Sequence, residues 1–299
     1  MSEAARVRVI GQGAWGRALG HLLERRGHRV SFQHHTEADR GWDGSEVILV
    51  ALPVQHIRET LGRLPSPEVP VLSLSKGMEI ETGRRVSQII DDVWGGVPVG
   101  ALSGPTFAAE VVRDLPAVCV VAAGQDELAR RFQELIHQPT FRLYRSTDLT
   151  GVELGGALKN IYALVGGICR RLELGENAMA GVLTRCLAEM KRIGVRLGGQ
   201  PETFAGLSGM GDLLLTAMSE QSRNFRTGQM VAEGKSLEEI LPALGGVAEG
   251  VATAKSVHQN PDIPVEDKPI ATQIYDILYS GKSVRDAIRA LLERDPKAE

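Results

Sequence analysis

Short runs of aliphatic and β-branched residues recur through the first half of the chain, at residues 7–10, 29–33, 47–51, 69–74, 97–102, 117–122 and 141–144. Stretches with the helical period separate them, so the pattern predicts βαβ units and a parallel, doubly wound sheet. From about Asp148 such runs disappear. Apolar positions at helical spacing, among them Ile270, Ile274, Ile277, Val284, Ile288 and Leu291, then continue almost to the C-terminus. Gly- or Pro-marked joints at 198–201, 206–211, 245–246 and 260–261 break this second half into helices. The expectation is an α/β chain. A Rossmann-type doubly wound domain over residues 1–147 is followed by an all-α domain over 148–299.

The first strand closes on Gly11, Gly13 and Gly16, with a helical stretch from residue 14 to 26 behind it. In such a strand, turn and helix start, Gly11 permits the turn, Gly13 leaves bare backbone for a pyrophosphate, and Gly16 lets helix and strand pack closely. A G-x-G-x-x-G alone is a weak signal; the strand before it, the helix after it and the next apolar run at 29–33 supply the required context. A dinucleotide is the predicted ligand. A cofactor-binding Asp or Glu for a ribose 2′-OH is missing at the end of the second run, which reads Gln33-His34-His35-Thr36. Its absence removes a repulsion against a 2′-phosphate, for which His34, His35 or Arg40 offer donors, so NADP is allowed and somewhat favoured. A solvated loop explains the two histidines equally well.

Composition narrows the function classes. With 299 residues, 43% hydrophobic and 24% charged, the chain is long enough for two cores. The net charge of -3 and the scattered Lys and Arg residues offer no field for nucleic acid. No apolar stretch approaches the roughly 20 residues of a membrane span, and the first residues lack a signal-peptide core, which predicts a cytoplasmic protein. Cys119, Cys169 and Cys186 have neither disulfide nor zinc-ligand spacing and read as buried thiols; no metal site is expected.

In open α/β sheets ligands gather at the carboxyl ends of the strands. There the chain places Ser75-Lys76-Gly77 and Ser103-Gly104-Pro105-Thr106-Phe107-Ala108. Lys76 suits a phosphate or a reacting oxygen, while Ser103 or Thr106 reads as a helix N-cap, a role compatible with ligand binding by the same N–H groups. Residues 151–167 form a helix in which Lys159 shares a face with Gly155, Gly156, Tyr162, Ala163 and Gly166. Interior glycines cost about 1 kcal/mol each, so something must approach this backbone closely. A lysine there is poorly solvated, which lowers its pKa and suits it to proton exchange; a snorkelling lysine at a helix contact is the alternative. Residues 206–211 predict a flexible loop ending in Asp212 as an N-cap. Ser222, Arg223 and Asn224 provide a hydroxyl, a guanidinium fork and an amide, a donor set for a phosphate monoester or simply an exposed helix start.

Taken in order, Gly-Gln-Gly-Ala-Trp-Gly, Ser-Lys-Gly, Ser-Gly-Pro-Thr-Phe-Ala, Glu-Leu-Gly-Gly-Ala-Leu-Lys-Asn, Gly-Leu-Ser-Gly-Met-Gly-Asp, Ser-Arg-Asn and Ala-Glu-Gly-Val resemble the bacterial-type NAD(P)-dependent glycerol-3-phosphate dehydrogenases. The resemblance runs from residue 7 to about 292. It implies reduction of dihydroxyacetone phosphate to sn-glycerol 3-phosphate for glycerophospholipid synthesis, with NAD(P)H as cofactor. By the same resemblance Lys159 is the proton donor and acceptor. Lys76, Gly104, Thr106, Asp212, Ser222, Arg223 and Asn224 match substrate positions; Gly11, Gly13, Trp15, Gly16, Lys76, Ala108, Arg223, Val247 and Glu249 match cofactor positions. Two features depart from the family: Thr106 stands where Ser is usual, and residues 36–46 form a shorter link than expected. A β-hydroxyacid dehydrogenase is the nearest alternative, although those enzymes place Asn four residues after the lysine and here Asn160 follows directly. A non-catalytic NADP sensor is the other. Exposed helices of the second half allow a homodimer.

Overall fold

The computed structural model describes residues 4–34 and 41–295. Its first half contains β1 (Arg6–Ile10), β2 (Arg29–Gln33), β3 (Val47–Val50), β4 (Val71–Ser73), β5 (Val99–Ser103), β6 (Ala117–Ala123) and β7 (Phe141–Ser146), joined in one sheet of order β2-β1-β3-β4-β5-β6-β7. Helices α1 (Ala14–Arg25), α4 (Ala108–Val112) and α5 (Asp126–Ile136) accompany it, as do α2 (Ile57–Gly62) and α3 (Val86–Trp94). Alternation along the strands feeds two cores. Val7, Val9, Val47 and Leu49 join Leu19, Leu23 and Phe132 on one side, while Ile10, Ile48 and Val50 join Ile57, Leu61, Ile89 and Trp94 on the other.

The sheet is mixed rather than wholly parallel. β5 and β6 pair antiparallel, from Gly100 opposite Ala123 to Ser103 opposite Val120, whereas β6 and β7 are parallel to each other. Their connection explains the reversal. A parallel crossover must return across the sheet, normally through a helix as long as the strands. α4 has only five residues, about 7.5 Å of helix, so the chain turns at the strands' carboxyl edge and re-enters there. The eleven-residue α5 does span the sheet, and β7 accordingly runs alongside β6.

Between β2 and β3 the described link comprises residues 41–46, where Asp43 accepts a 2.8 Å hydrogen bond from the buried Arg8 of β1 and Trp42 packs edge-on against Trp94. This small cluster covers part of the sheet face beside β1. His35, Thr36 and Arg40 lie outside the described residues.

The second half is helical: α6 (Leu149–Arg171), α7 (Glu176–Arg196), α8 (Pro201–Phe204), α9 (Asp212–Ala217), α10 (Arg223–Ala232), α11 (Leu237–Ala243), α12 (Glu249–Gln259), α13 (Pro269–Tyr279) and α14 (Val284–Leu292). α6 is its axis, buried without a break from Gly151 to Cys169. A helix apolar all round must be enclosed by others, and its glycines are what let them approach. A Cβ on Gly166 would lie 2.1 Å from the Ala217 carbonyl oxygen, and one on Gly167 would lie 1.9 Å from that of Phe225. The groups that approach the glycine-rich helix are therefore other segments of the chain itself, backbone at Gly155, Gly166 and Gly167 and the Ser103 side chain at Gly156. All three cysteines are buried, as expected.

Candidate active site

β1 ends in Gly11, whose φ of 104° is open to glycine and whose hypothetical Cβ would stand 2.3 Å from the Ala51 carbonyl oxygen. A Cβ on Gly16 would meet the Gly11 carbonyl oxygen at 2.6 Å, while nothing lies within 4 Å of one placed on Gly13. α1 then starts without a side-chain cap and without an acidic residue in its first turn. Free N–H groups and the positive end of the helix dipole thus face open space, the setting an anionic pyrophosphate requires. The Trp15 indole N–H is buried beside this turn without a partner among the described residues. These features fit a dinucleotide. At the end of β2, Gln33 is buried with its carbonyl oxygen accepting from the Gly11 N–H, and His34 is half-buried.

The same sheet edge carries the candidate chemistry. Leu52, beside the glycine turn, donates its N–H to Ser75 Oγ, and the next residue is Lys76. Lys76 Nζ reaches the Gly104 carbonyl oxygen at 2.9 Å and Asp212 Oδ2 at 2.7 Å. From the opposite side Lys159 Nζ, in α6, donates to Asp212 Oδ1 at 2.9 Å and to Thr216 Oγ1 at 2.7 Å. One buried carboxylate therefore bridges two ammonium groups, one from each half of the chain. Lys159 is 7% exposed and Asp212 1%. Burial lowers the Lys159 pKa to about 8, opposed by Asp212 and reinforced by the like charge of Lys76. Burial alone would push Asp212 upward, but the two ammonium groups hold it below the usual carboxylate value. The arrangement offers an ammonium that gives up its proton near neutral pH inside a dry site.

Asp212 does not cap a helix after a flexible loop. Residues 207–211 form one wide π-helical turn running directly into α9, packed so tightly that a Cβ on Gly209 would stand 2.2 Å from the Phe204 carbonyl oxygen. That turn aims Asp212 inward at the lysines. Thr216, one helical turn later on the same face, is the residue the sequence reading missed; the i, i+4 spacing from Asp212 was the available signal. Asn160 was noticed only for its position after Lys159. Its Nδ2 donates to the Lys76 carbonyl oxygen at 3.0 Å, and its Oδ1 accepts from Asn224.

Thr106 is half-buried and donates to the Gly104 carbonyl oxygen at 3.2 Å, with Ala108 opening α4 just beyond. Ser222 Oγ caps α10 by accepting from the Phe225 N–H, and the Asn224 side chain joins Asn160 to the Gly250 N–H. Ser222 and Asn224 are thus buried supports that each retain one donor proton, and Arg223 is the exposed member of the trio. Glu249, in the first turn of α12, accepts from the Val54 N–H at 3.0 Å across the gap between the halves. Burial pushes its carboxyl up to about 7, and its Oε2 has no partner among the described residues. Val247, two residues before it, is exposed.

A glycine-turn nucleotide half whose strand edge faces a helical half bearing a buried lysine defines a two-domain, dinucleotide-dependent oxidoreductase. Two family models specify it further: NAD-dependent glycerol-3-phosphate dehydrogenase N-terminus matches residues 30–129, and the corresponding C-terminus matches residues 148–289. A glycerol-3-phosphate dehydrogenase [NAD(P)+] of Oleidesulfovibrio alaskensis is 38% identical, with 98% of this chain and 100% of the relative covered. Another from Nitrosomonas eutropha is 39% identical, with 98% and 99% covered. The crystal structure of glycerol-3-phosphate dehydrogenase from Coxiella burnetii superposes with a TM-score of 0.91 at 30% identity, over 97% of this chain and 99% of that one. The chain belongs to the NAD-dependent glycerol-3-phosphate dehydrogenase family. Among the described residues no helix is long and apolar enough to cross a membrane.

Proposed function

We propose that the protein reversibly reduces dihydroxyacetone phosphate to sn-glycerol 3-phosphate, with Lys159 as the general acid in reduction and the general base in oxidation. The observation that carries this reading is the Lys159 ammonium, buried against Asp212 and Thr216 on the strand edge that also holds the glycine turn. Gly11, Gly13, Gly16 and Trp15 hold the dinucleotide, with Ala108, Arg223, Val247, Glu249 and His34 around it; His35 belongs to the same reading. The bound nicotinamide supplies the hydride. Lys159 transfers its Nζ proton to the substrate oxygen as alkoxide character develops, and Asp212 keeps the ammonium oriented and charged until then.

Lys76 and the Gly104 and Thr106 turn hold the oxygen-bearing end, while Arg223, supported by Ser222 and Asn224, receives the phosphate. NADPH is favoured because Gln33 and His34, and no carboxylate, close β2. The reading places the domain boundary between residues 147 and 148, just after β7, and takes the protein as a cytoplasmic homodimer whose product enters glycerophospholipid synthesis.

The test is a nicotinamide absorbance assay of wild type and Lys159→Ala with NADH and NADPH against dihydroxyacetone phosphate and other keto-phosphates. Wild type is expected to oxidise either nicotinamide with dihydroxyacetone phosphate, and the variant to lose most turnover while still binding cofactor. Near wild-type turnover by the variant overturns the assigned proton transfer.

A further inference from the structure

The face where the two halves meet contains, besides Asp212 and Glu249, a buried carboxylate with no part in the proposed chemistry. Glu153 lies in α6, six residues before Lys159, and is 8% exposed. Its Oε1 accepts from the Ser87 N–H at 2.7 Å and its Oε2 from Ser87 Oγ at 2.6 Å, with the Arg85 guanidinium held against the same oxygen. Ser87 belongs to the first turn of α3, and Arg85 is the residue just before that helix. Glu153 thus satisfies an N-terminal N–H of α3 from the other half of the chain, where a carboxylate also meets the positive end of the helix dipole.

Apolar packing closes only part of the seam at this point, where Met78 of the first half joins the core around α6. A cavity of about 910 Å³ adjoins it, lined by Arg84, Arg85, Gln88, Leu154, Leu197 and Asn260 among others. The register of α6 against the first half is held on this side by that apolar contact together with the polar network. Seven residues along the helix, Asn160 makes the next tie, to the Lys76 carbonyl oxygen. Lys159 sits beside that second tie on a stiff helical segment about 10 Å long. A buried ion pair adds little net stability because its desolvation offsets its attraction, whereas removing one partner leaves the other buried and unpaired at a high cost.

We infer that Glu153 is a positioning residue for the proton transfer: by capping α3 across the seam it sets where α6 presents Lys159 relative to Lys76 and the bound cofactor. The inference rests on the proton-transfer role proposed above for Lys159. Lys159, Asp212 and the glycine turn are untouched by a change at Glu153, so the expected loss is in turnover and not in cofactor affinity.

The experiment compares wild type, Glu153→Gln, Arg85→Met and the double variant for kcat, cofactor Kd and thermal midpoint. Glu153→Gln is expected to lower kcat about tenfold or more while the cofactor Kd stays within about twofold, because small misplacements of a reacting group are costly. Arg85→Met is expected to lower kcat as well, and the double variant to be no worse than the poorer single one, since both break one network. A kcat within about twofold of wild type in folded Glu153→Gln overturns the inference even if its midpoint falls, because a purely structural role moves only stability. Should Glu153→Gln fail to fold, Arg85→Met and Ser87→Ala carry the same test. Wild type inactive on dihydroxyacetone phosphate refutes the functional reading instead.

Discussion

Replacing Asp212 by Asn removes the charge that two ammonium groups share while nearly preserving shape. The pairs stand at 2.9 Å from Lys159 and 2.7 Å from Lys76, with Lys159 and Asp212 buried and Lys76 partly exposed. At an effective dielectric of about 20, a unit pair 2.9 Å apart interacts by about 6 kcal/mol, an upper figure before relaxation and water entry. If only about 1.4 kcal/mol of it survives, the Lys159 pKa falls by one unit. In the proposed mechanism ketone reduction consumes the Lys159 proton, so activity would require the ammonium, which is present below its pKa of about 8 and lost above it. Without Asp212 that loss begins at lower pH. The assay is the pH dependence of kcat/KM for dihydroxyacetone phosphate between about pH 6 and pH 9, which reports groups of the free enzyme. The alkaline limb is expected to move down by at least about one unit, with activity near pH 8 falling about fivefold or more. Cofactor titration and a melting curve verify that the variant is folded. A folded variant whose alkaline limb stays in place refutes the idea that Asp212 sustains the Lys159 charge.

Two glycines separate ligand space from packing space. Gly13→Ala meets no neighbour within 4 Å and is expected to leave the melting temperature unchanged, yet to weaken cofactor binding about tenfold or more, as measured by fluorescence titration. Unchanged affinity removes the pyrophosphate from that turn. Gly167→Ala places a Cβ 1.9 Å from the Phe225 carbonyl oxygen and is expected to destabilise the helical half by about 2 kcal/mol or more in denaturant melts. A neutral effect there means that α6 and α10 are not held by backbone contact.

Much of this architecture was legible from local pattern. Strands of three to seven residues and their helices announce themselves through period and length, and the predicted strands all recur within a few residues of their observed bounds. The glycine turn carries its own reason for existing, and Lys159 stood out because an ammonium and several glycines share an apolar helix. The reversal at β6 was missed although its cause, a connection too short to cross the sheet, lies in the sequence. Asp212 was misread as a cap at the end of a loop because a wide π-helical turn has no distinctive local code.

The sequence by itself determined which segments are strands and helices, where a glycine turn leaves bare backbone ahead of a helix, and that α6 must be approached closely, because each follows from residues near in the chain. Only the tertiary structure decided that Lys76 and Lys159, 83 positions apart, share one carboxylate, and that Glu153 caps a helix of the other half. Such pairings depend on the angle and depth at which two layers dock. Those are set by the summed packing of many side chains and backbone contacts, which no short window of sequence contains.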